Sequence, residues 1–314
     1  MMFSIIIPVY KNEASLPRLV ATLSHLKQLT QSELEVVFVI DGSPDNSFGL
    51  LKKLLKSLPF PAQLLLHSRN FGSFAAIRTG LAAARGDNFG VMAADLQEPP
   101  ELMISFAESL QKNECDVVVG MRTSRDDPFL SRIASQAFWG LYRRYVVKDM
   151  PSGGVDVFGC SRQFRDQLLQ LRESRSSLVA LIFWLGFKRK IVVYSRQARQ
   201  EGRSGWTFRK KMDYMLDSIF AFSDAPIRAL LHLGLFGCFV SILLMVMVFA
   251  AKIVGNIHVP GYTATLLVML FFGALNMFGL GIVGTYAWRT YENSKQRPLA
   301  VVSLKMNNFE RYHG

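Results

Sequence analysis

Leu34-Glu35-Val36-Val37-Phe38-Val39-Ile40-Asp41-Gly42-Ser43-Pro44-Asp45 reads as a buried strand that runs straight into a turn. The near-continuous apolar run suits a strand covered on both faces of a sheet. The Asp-Gly-Ser-Pro-Asp that ends it is turn chemistry. Upstream, Phe3 to Val9 is a similar short strand, followed by helical spacing from Ala14 to about Leu29. Downstream, helices over Asn46–Ser57 and Gly72–Arg85 alternate with strands over Ala62–His67, Asn88–Ala93 and Asp116–Gly120. Pro99-Pro100 opens a further helix, since proline is tolerated in a first turn. This alternation predicts an α/β fold, a mostly parallel sheet with helices on both faces. In such sheets ligands bind at the carboxyl ends of the strands, where Asp41 and Asp95 both fall.

Composition separates this body from the C-terminal region. Of 314 residues half are hydrophobic and 19% charged, which excludes a disordered chain. The apolar residues are concentrated in two stretches without Asp, Glu, Lys or Arg, Ala229–Ala251 and Tyr262–Trp288. Each exceeds the roughly 20 residues needed to span a bilayer. Arg209, Lys210, Lys211 and Arg228 precede the first, Arg289, Lys295, Arg297 and Lys305 follow the second, and the connecting loop carries a single lysine. Both termini and the N-terminal body are therefore expected in the cytoplasm. The expected organisation is a catalytic domain over 1–205, an amphipathic juxtamembrane segment over 206–228, two spans over 229–291 joined by a loop at 252–261, and a cytoplasmic tail over 292–314. Phe129–Val147 reads either as a second amphipathic interface helix or as a helix packed on the sheet. Arg297–Val302 reads as a short extended segment.

The net charge of +12 comes with no signature of a nucleic-acid reader, and nucleic acid is not an expected partner. Six basic residues between Arg196 and Lys211, against one acid, suit anionic headgroups and phosphorylated ligands. Three scattered cysteines and five unclustered histidines give neither a disulfide framework nor a thiolate or HExxH metal site. Asp95-Leu96-Gln97 offers hard oxygen donors of the kind that hold Mg²⁺ or Mn²⁺ against a diphosphate.

Pro8-Val9-Tyr10-Lys11-Asn12-Glu13, Asp41-Gly42-Ser43-Pro44-Asp45 and Asp95-Leu96-Gln97-Glu98-Pro99-Pro100-Glu101, in that order, resemble successive motifs of the inverting family-two glycosyltransferases. The subgroup they resemble is the polyprenyl-phosphate type, which includes dolichol-phosphate mannose synthases and bacterial undecaprenyl-phosphate glucosyltransferases. Arg69-Asn70-Phe71-Gly72, Gly154-Val155-Asp156, Arg199 to Trp206 and Phe222 to Pro226 continue the resemblance over nearly the whole chain. It implies a GT-A (Rossmann-like) domain with two C-terminal transmembrane helices in a bacterial inner membrane. The implied partners are a nucleotide sugar, with UDP-glucose favoured over GDP-mannose or a modified UDP-sugar, and undecaprenyl phosphate. The implied cofactor is Mg²⁺ or Mn²⁺, and homo-oligomerisation is left open.

Carried across by position, Pro8, Tyr10, Glu13, Asp41 and Arg69 line the donor pocket, with Asp41 reaching the base. Arg199 and Ser204 close over the donor. Asp95 and Gln97 meet the metal, Asp156 is the catalytic aspartate beside Asp95, and Arg122, Arg132 and Ser135 hold the acceptor phosphate. The chain departs from the pattern once: Ala93-Ala94-Asp95 stands where members often carry Asp-Ala-Asp. A processive synthase is disfavoured because its Gln-x-x-Arg-Trp motif is absent, and a transporter because the spans lack charge. An inactive membrane scaffold has only Ala93 in its favour.

Overall fold

In a computed structural model of the chain, the described residues are 1–30, 32–122, 157–173, 176–195, 208–253 and 261–312, with Gly140, Arg143, Val147 and Val155. Strands β1 (Met2–Val9), β2 (Glu33–Ile40), β3 (Ala62–His67) and β4 (Asn88–Val91) are joined by helices α1 (Leu16–Leu29), α2 (Ser47–Leu55) and α3 (Ser73–Ala83). Then come α4 (Glu101–Gln111), β5 (Val117–Arg122), β6 (Val157–Ser161), α5 (Arg162–Gln170), α6 (Leu178–Trp184) and β7 (Arg189–Tyr194). The C-terminal part holds α7 (Phe208–Phe222), α8 (Ala225–Ile253), α9 (Tyr262–Ser294) and a last strand, β8 (Val302–Asn307).

The described strands form one sheet in the order β7-β5-β6-β4-β1-β2-β3-β8. β1, β2, β3 and β4 are mutually parallel, as the alternation predicts. The sheet also contains two antiparallel strands outside that prediction, β6 between β4 and β5 and β8 at the β3 edge. Strand order reverses at β1, with β2 and β3 on one side and β4 on the other. That switch point puts the expected ligand crevice at the carboxyl ends of β1 and β4.

Period-2 alternation divides the sheet between two cores. Ile5, Ile7, Val36 and Phe38 face α1, α2 and α4. Ile6, Val37, Val39 and Phe89 face α3, α5 and α6. The second face contains a fully buried acid near the start of β2. Glu35 accepts from Ser4 Oγ at 2.5 Å, Gln63 Nε2 at 3.0 Å and the Arg85 N–H at 2.8 Å. These bonds tie the α3–β4 connection to the sheet, at the end opposite the crevice.

α8 and α9 are long and apolar enough to cross a membrane, and almost nothing in their apolar windows is buried by the rest of the chain. At their near end α9 grips α7. Arg289 donates to the Asp217 carboxylate at 2.5 Å and to its carbonyl at 3.2 Å, and Tyr286 Oη donates to Ser223 O at 3.2 Å. Phe222, at the end of α7, packs on the second core. After α9 the chain returns to the sheet as β8, which starts only at Val302, the last residue of the expected 297–302 segment, and clasps the α2–β3 connection. Asn308 accepts from the Ala62 N–H at 2.8 Å and donates to Leu55 O and Phe60 O, while Tyr312 Oη donates to Leu58 O.

Candidate active site

Four loops leave the carboxyl ends of β1 to β4 along one edge of the sheet. Each contains a residue with positive φ: Lys11 (57°), Gly42 (57°), Gly72 (97°) and Leu96 (53°). Left-handed non-glycine residues are uncommon and cluster where the surroundings force them, often at functional sites. The forcing here is a lattice of side-chain to backbone hydrogen bonds.

The β1 and β2 loops are laced reciprocally. Lys11 N–H donates to Ser43 Oγ at 2.7 Å, Glu13 N–H donates to Asp45 Oδ2 at 3.0 Å, and Asn46 N–H donates to Glu13 Oε2 at 2.9 Å. Burial would raise the Asp45 pKa, but bonds from Ser43, Ser47 and the Glu13 N–H outweigh it and hold the carboxyl below the usual range. Across the switch point, Ser15 Oγ donates to Ala94 O at 2.9 Å and joins the β1 loop to the β4 loop.

Asp41 fastens the third loop. It is buried, and its Oδ1 accepts from His67 Nδ1 and from the Phe71 N–H, both at 2.8 Å, while Oδ2 accepts from the Gly72 N–H at 2.8 Å. Burial again acts to raise its pKa; the His67 and backbone bonds outweigh it and hold the carboxyl below its usual range. Gly42 makes the same loop approach possible. A Cβ there would lie 2.3 Å from the Arg69 carbonyl carbon and 2.4 Å from the Asn70 nitrogen. Arg69 is exposed on this loop and stacks 4.2 Å from the Phe71 ring centroid.

The remaining expected residues divide into those on this edge and those outside the described part. Pro8 is half-buried near the end of β1, with Tyr10 and Glu13 exposed just beyond it. Half-buried Asp95 accepts from the Gln97 N–H at 3.4 Å, and Gln97 is buried. Arg122 ends β5, which runs parallel to β7 and in the same sense as β4, so it reaches the same edge. Asp156, Arg132, Ser135, Arg199 and Ser204 lie outside the described residues, as does most of the expected 129–147 helix. Among the described residues no three His, Cys, Asp or Glu side chains gather as a metal cage. His67 is the site residue that sequence reasoning missed. A lone histidine ending an apolar run carries no motif, and its partner is 26 residues away.

An α/β sheet with loops interlocked at a switch point, two acids at strand ends and basic residues beside them fits a GT-A glycosyltransferase domain. Residues 4–171 match the family described as Glycosyl transferase family 2. The chain is 31% identical over 297 residues to the putative glycosyltransferase CsbB of Bacillus subtilis, covering 95% of this chain and 90% of that one. It is 29% identical to the bactoprenol glucosyl transferase of Shigella phage SfV, covering 96% of this chain and 98% of the relative. A mannosyltransferase from Pyrobaculum calidifontis, solved with GDP-Man and Mn²⁺, shares the fold with a TM-score of 0.50 at 15% identity, over 92% of this chain and 84% of that one. The protein belongs to glycosyl transferase family 2 and is a glycosyltransferase.

Proposed function

We propose that this enzyme transfers glucose from UDP-glucose to undecaprenyl phosphate at the cytoplasmic face of a bacterial inner membrane, inverting the anomeric centre. One observation carries the lipid side of the reading. The chain that forms the strand-end site continues into two helices whose apolar surface its own fold leaves uncovered, then returns to the sheet. Leu235, Phe236, Phe239, Met269, Phe271 and Phe278 are each about three-fifths exposed, which water does not tolerate over such an area but acyl chains do. The near-full-length similarity to a bactoprenol glucosyl transferase supports the same acceptor and sugar.

In this reading the donor lies across the β1–β4 crevice, its base toward Asp41 and Arg69 and its diphosphate toward Asp95. The donor set there fits a divalent cation: one half-exposed carboxylate and a neighbouring amide, turned by the left-handed Leu96. Mg²⁺ and Mn²⁺ sites of transferases use one or two protein oxygens and complete the shell with phosphates and water, so no protein cage is required. Asp95 and Gln97 would hold the ion, with no contribution from Ala93; when bound, it supplies charge neutralisation to the departing diphosphate.

The nucleophile is an oxygen of the lipid phosphate. With a second pKa of about 6, a phosphate monoester is largely ionised at neutral pH, so the enzyme has little need of a general base. Asp156 then orients rather than deprotonates. Arg122, Arg132 and Ser135 hold the phosphate opposite the leaving group, and Arg199 and Ser204 close over the donor. In-line displacement at an α-linked donor gives a β-linked lipid phosphate.

The test is transfer of labelled glucose from UDP-glucose to undecaprenyl phosphate by full-length protein in detergent with Mg²⁺ or Mn²⁺. Label entering the organic phase supports the proposal. Equal or faster transfer from GDP-mannose would replace the donor, and no transfer from any nucleotide sugar would leave the inactive-scaffold alternative.

A further inference from the structure

We infer that His67 is a specificity-determining positioning residue, which restricts Asp41 to reading a base with a single N–H and so selects uracil over guanine. The inference rests on the donor-site reading above and deepens it. An ionised carboxylate offers about four acceptor positions, two on each oxygen. At Asp41 three are taken: His67 Nδ1 and the Phe71 N–H fill Oδ1, and the Gly72 N–H occupies one side of Oδ2. Only one acceptor position remains, on Oδ2, and the side chain is 3% exposed. Uracil presents one imide N–H between two carbonyl oxygens, which one acceptor satisfies. Guanine presents an adjacent N–H and NH₂, which need both oxygens of a carboxylate or leave one donor unpaired, at a cost.

His67 sets this limit and is itself fixed. It is 2% exposed, Nε2 lies 3.0 Å from Thr79 Oγ1, and the Phe71 ring meets it edge-on at 5.5 Å. Because the ionised carboxylate only accepts, Nδ1 carries a proton and points it at Asp41. Without that donor, Oδ1 regains an acceptor position and the carboxylate can turn about its terminal torsion. It could then meet guanine with both oxygens.

The experiment titrates UDP and GDP into full-length wild type, His67→Leu and His67→Asn by calorimetry, with thermal melts to confirm folding. Asparagine can present its amide where Nδ1 stands, whereas leucine offers no donor. Wild type is expected to prefer UDP. His67→Leu should tighten GDP about 10-fold or more, the scale of gaining a charge-assisted bond, and bring the UDP-to-GDP ratio toward one. His67→Asn should restore most of the wild-type preference. A folded His67→Leu protein that keeps GDP affinity and UDP preference within about twofold of wild type overturns the inference. If His67→Leu does not fold, His67→Asn is compared with His67→Gln, whose amide reaches the Nε2 position instead. Equal UDP preference in those two proteins overturns the inference as well. Wild type preferring GDP refutes the selection while leaving a sugar-nucleotide site, whereas wild type binding neither nucleotide refutes the donor-site reading itself.

Discussion

Replacing Gly42 with alanine tests whether the strand-end loops are as interlocked as their geometry requires. Two costs add. A Cβ at φ +57° is strained by about 1–2 kcal/mol for an L-residue. The same Cβ would stand 2.3 Å from the Arg69 carbonyl carbon and 2.4 Å from the Asn70 nitrogen, backbone atoms that cannot rotate aside. The 69–72 loop must therefore move, and overpacking of this kind costs about 1–3 kcal/mol. The sum is roughly 2–5 kcal/mol, which for a domain of this size lowers Tm by about 4–20 °C. Gly72→Ala is the internal control. Its φ of +97° and ψ of 156° fall in a glycine-only region that costs an L-residue about 1–3 kcal/mol, but nothing lies within 4 Å of the added Cβ, so the overpacking cost is absent. Thermal melts in detergent and UDP titrations should rank the proteins wild type, Gly72→Ala, Gly42→Ala in falling stability. Gly42→Ala should also lose donor affinity, because Arg69 and Phe71 move with the loop. A Gly42→Ala protein as stable as Gly72→Ala would refute the argument from close approach.

Asp95→Asn should abolish transfer and divalent-metal dependence while leaving Tm within about 1 °C of wild type, since the group is half-exposed at a strand end; normal turnover would remove Asp95 from the metal site. Asp41 and Asp45 both titrate below the ordinary carboxylate range when folded. Their stabilisation is therefore complete above the unfolded-state pKa of about 4 and is lost as pH falls through the lower folded values. The stability gap between wild type and Asp45→Asn should accordingly narrow from pH 6 to pH 2, and a gap independent of pH would contradict this. Removing residues 297–314 should lower Tm and promote aggregation by baring the β3 edge, and a truncated protein as stable and monodisperse as the full chain would show that β8 merely decorates the sheet.

The parallel half of the sheet was legible because strands buried on both faces read as apolar runs, and because the turn after β2 is written in Asp, Gly and Pro. β6 and β7 were not. Val157–Ser161 is short and contains a glycine, and Arg189–Tyr194 is half-exposed and opens on basic residues, so neither carries the signature of a buried strand. β8 escaped because its pairing partner, β3, lies some 240 residues earlier, and an edge strand needs only one apolar face. At the site, Asp41, Asp95 and the glycine of the β2 turn stood out by position. What those groups do to one another did not: the partners of Asp41 come from β3 and the loop after it. Buried Glu35 makes the same point at the other end of the strands. Inside an apolar run a lone acid reads as tolerated exposure, whereas its donors come from β1, β3 and the loop after α3.

The return of the chain to the sheet as β8 constrains how donor and acceptor can meet. The domain is tied to the two long helices at both ends: α7 leads out of it, held to α9 through Arg289 and Asp217, and β8 leads back in beside β3. A single flexible linker would let the domain turn freely about its anchor, and the cost of restricting that motion would be met at each encounter with the lipid. Two attachments remove much of that freedom in advance. The second one ends at the 69–72 loop, because Ser68 N–H donates to Val301 O at 2.9 Å, one residue before Arg69. The strand after the second long helix is thus bonded to the segment that leads into the 69–72 loop, which the proposed function places at the donor. In the proposed reading, the membrane-directed and nucleotide-directed parts of the chain are held in register by backbone hydrogen bonds rather than by proximity alone.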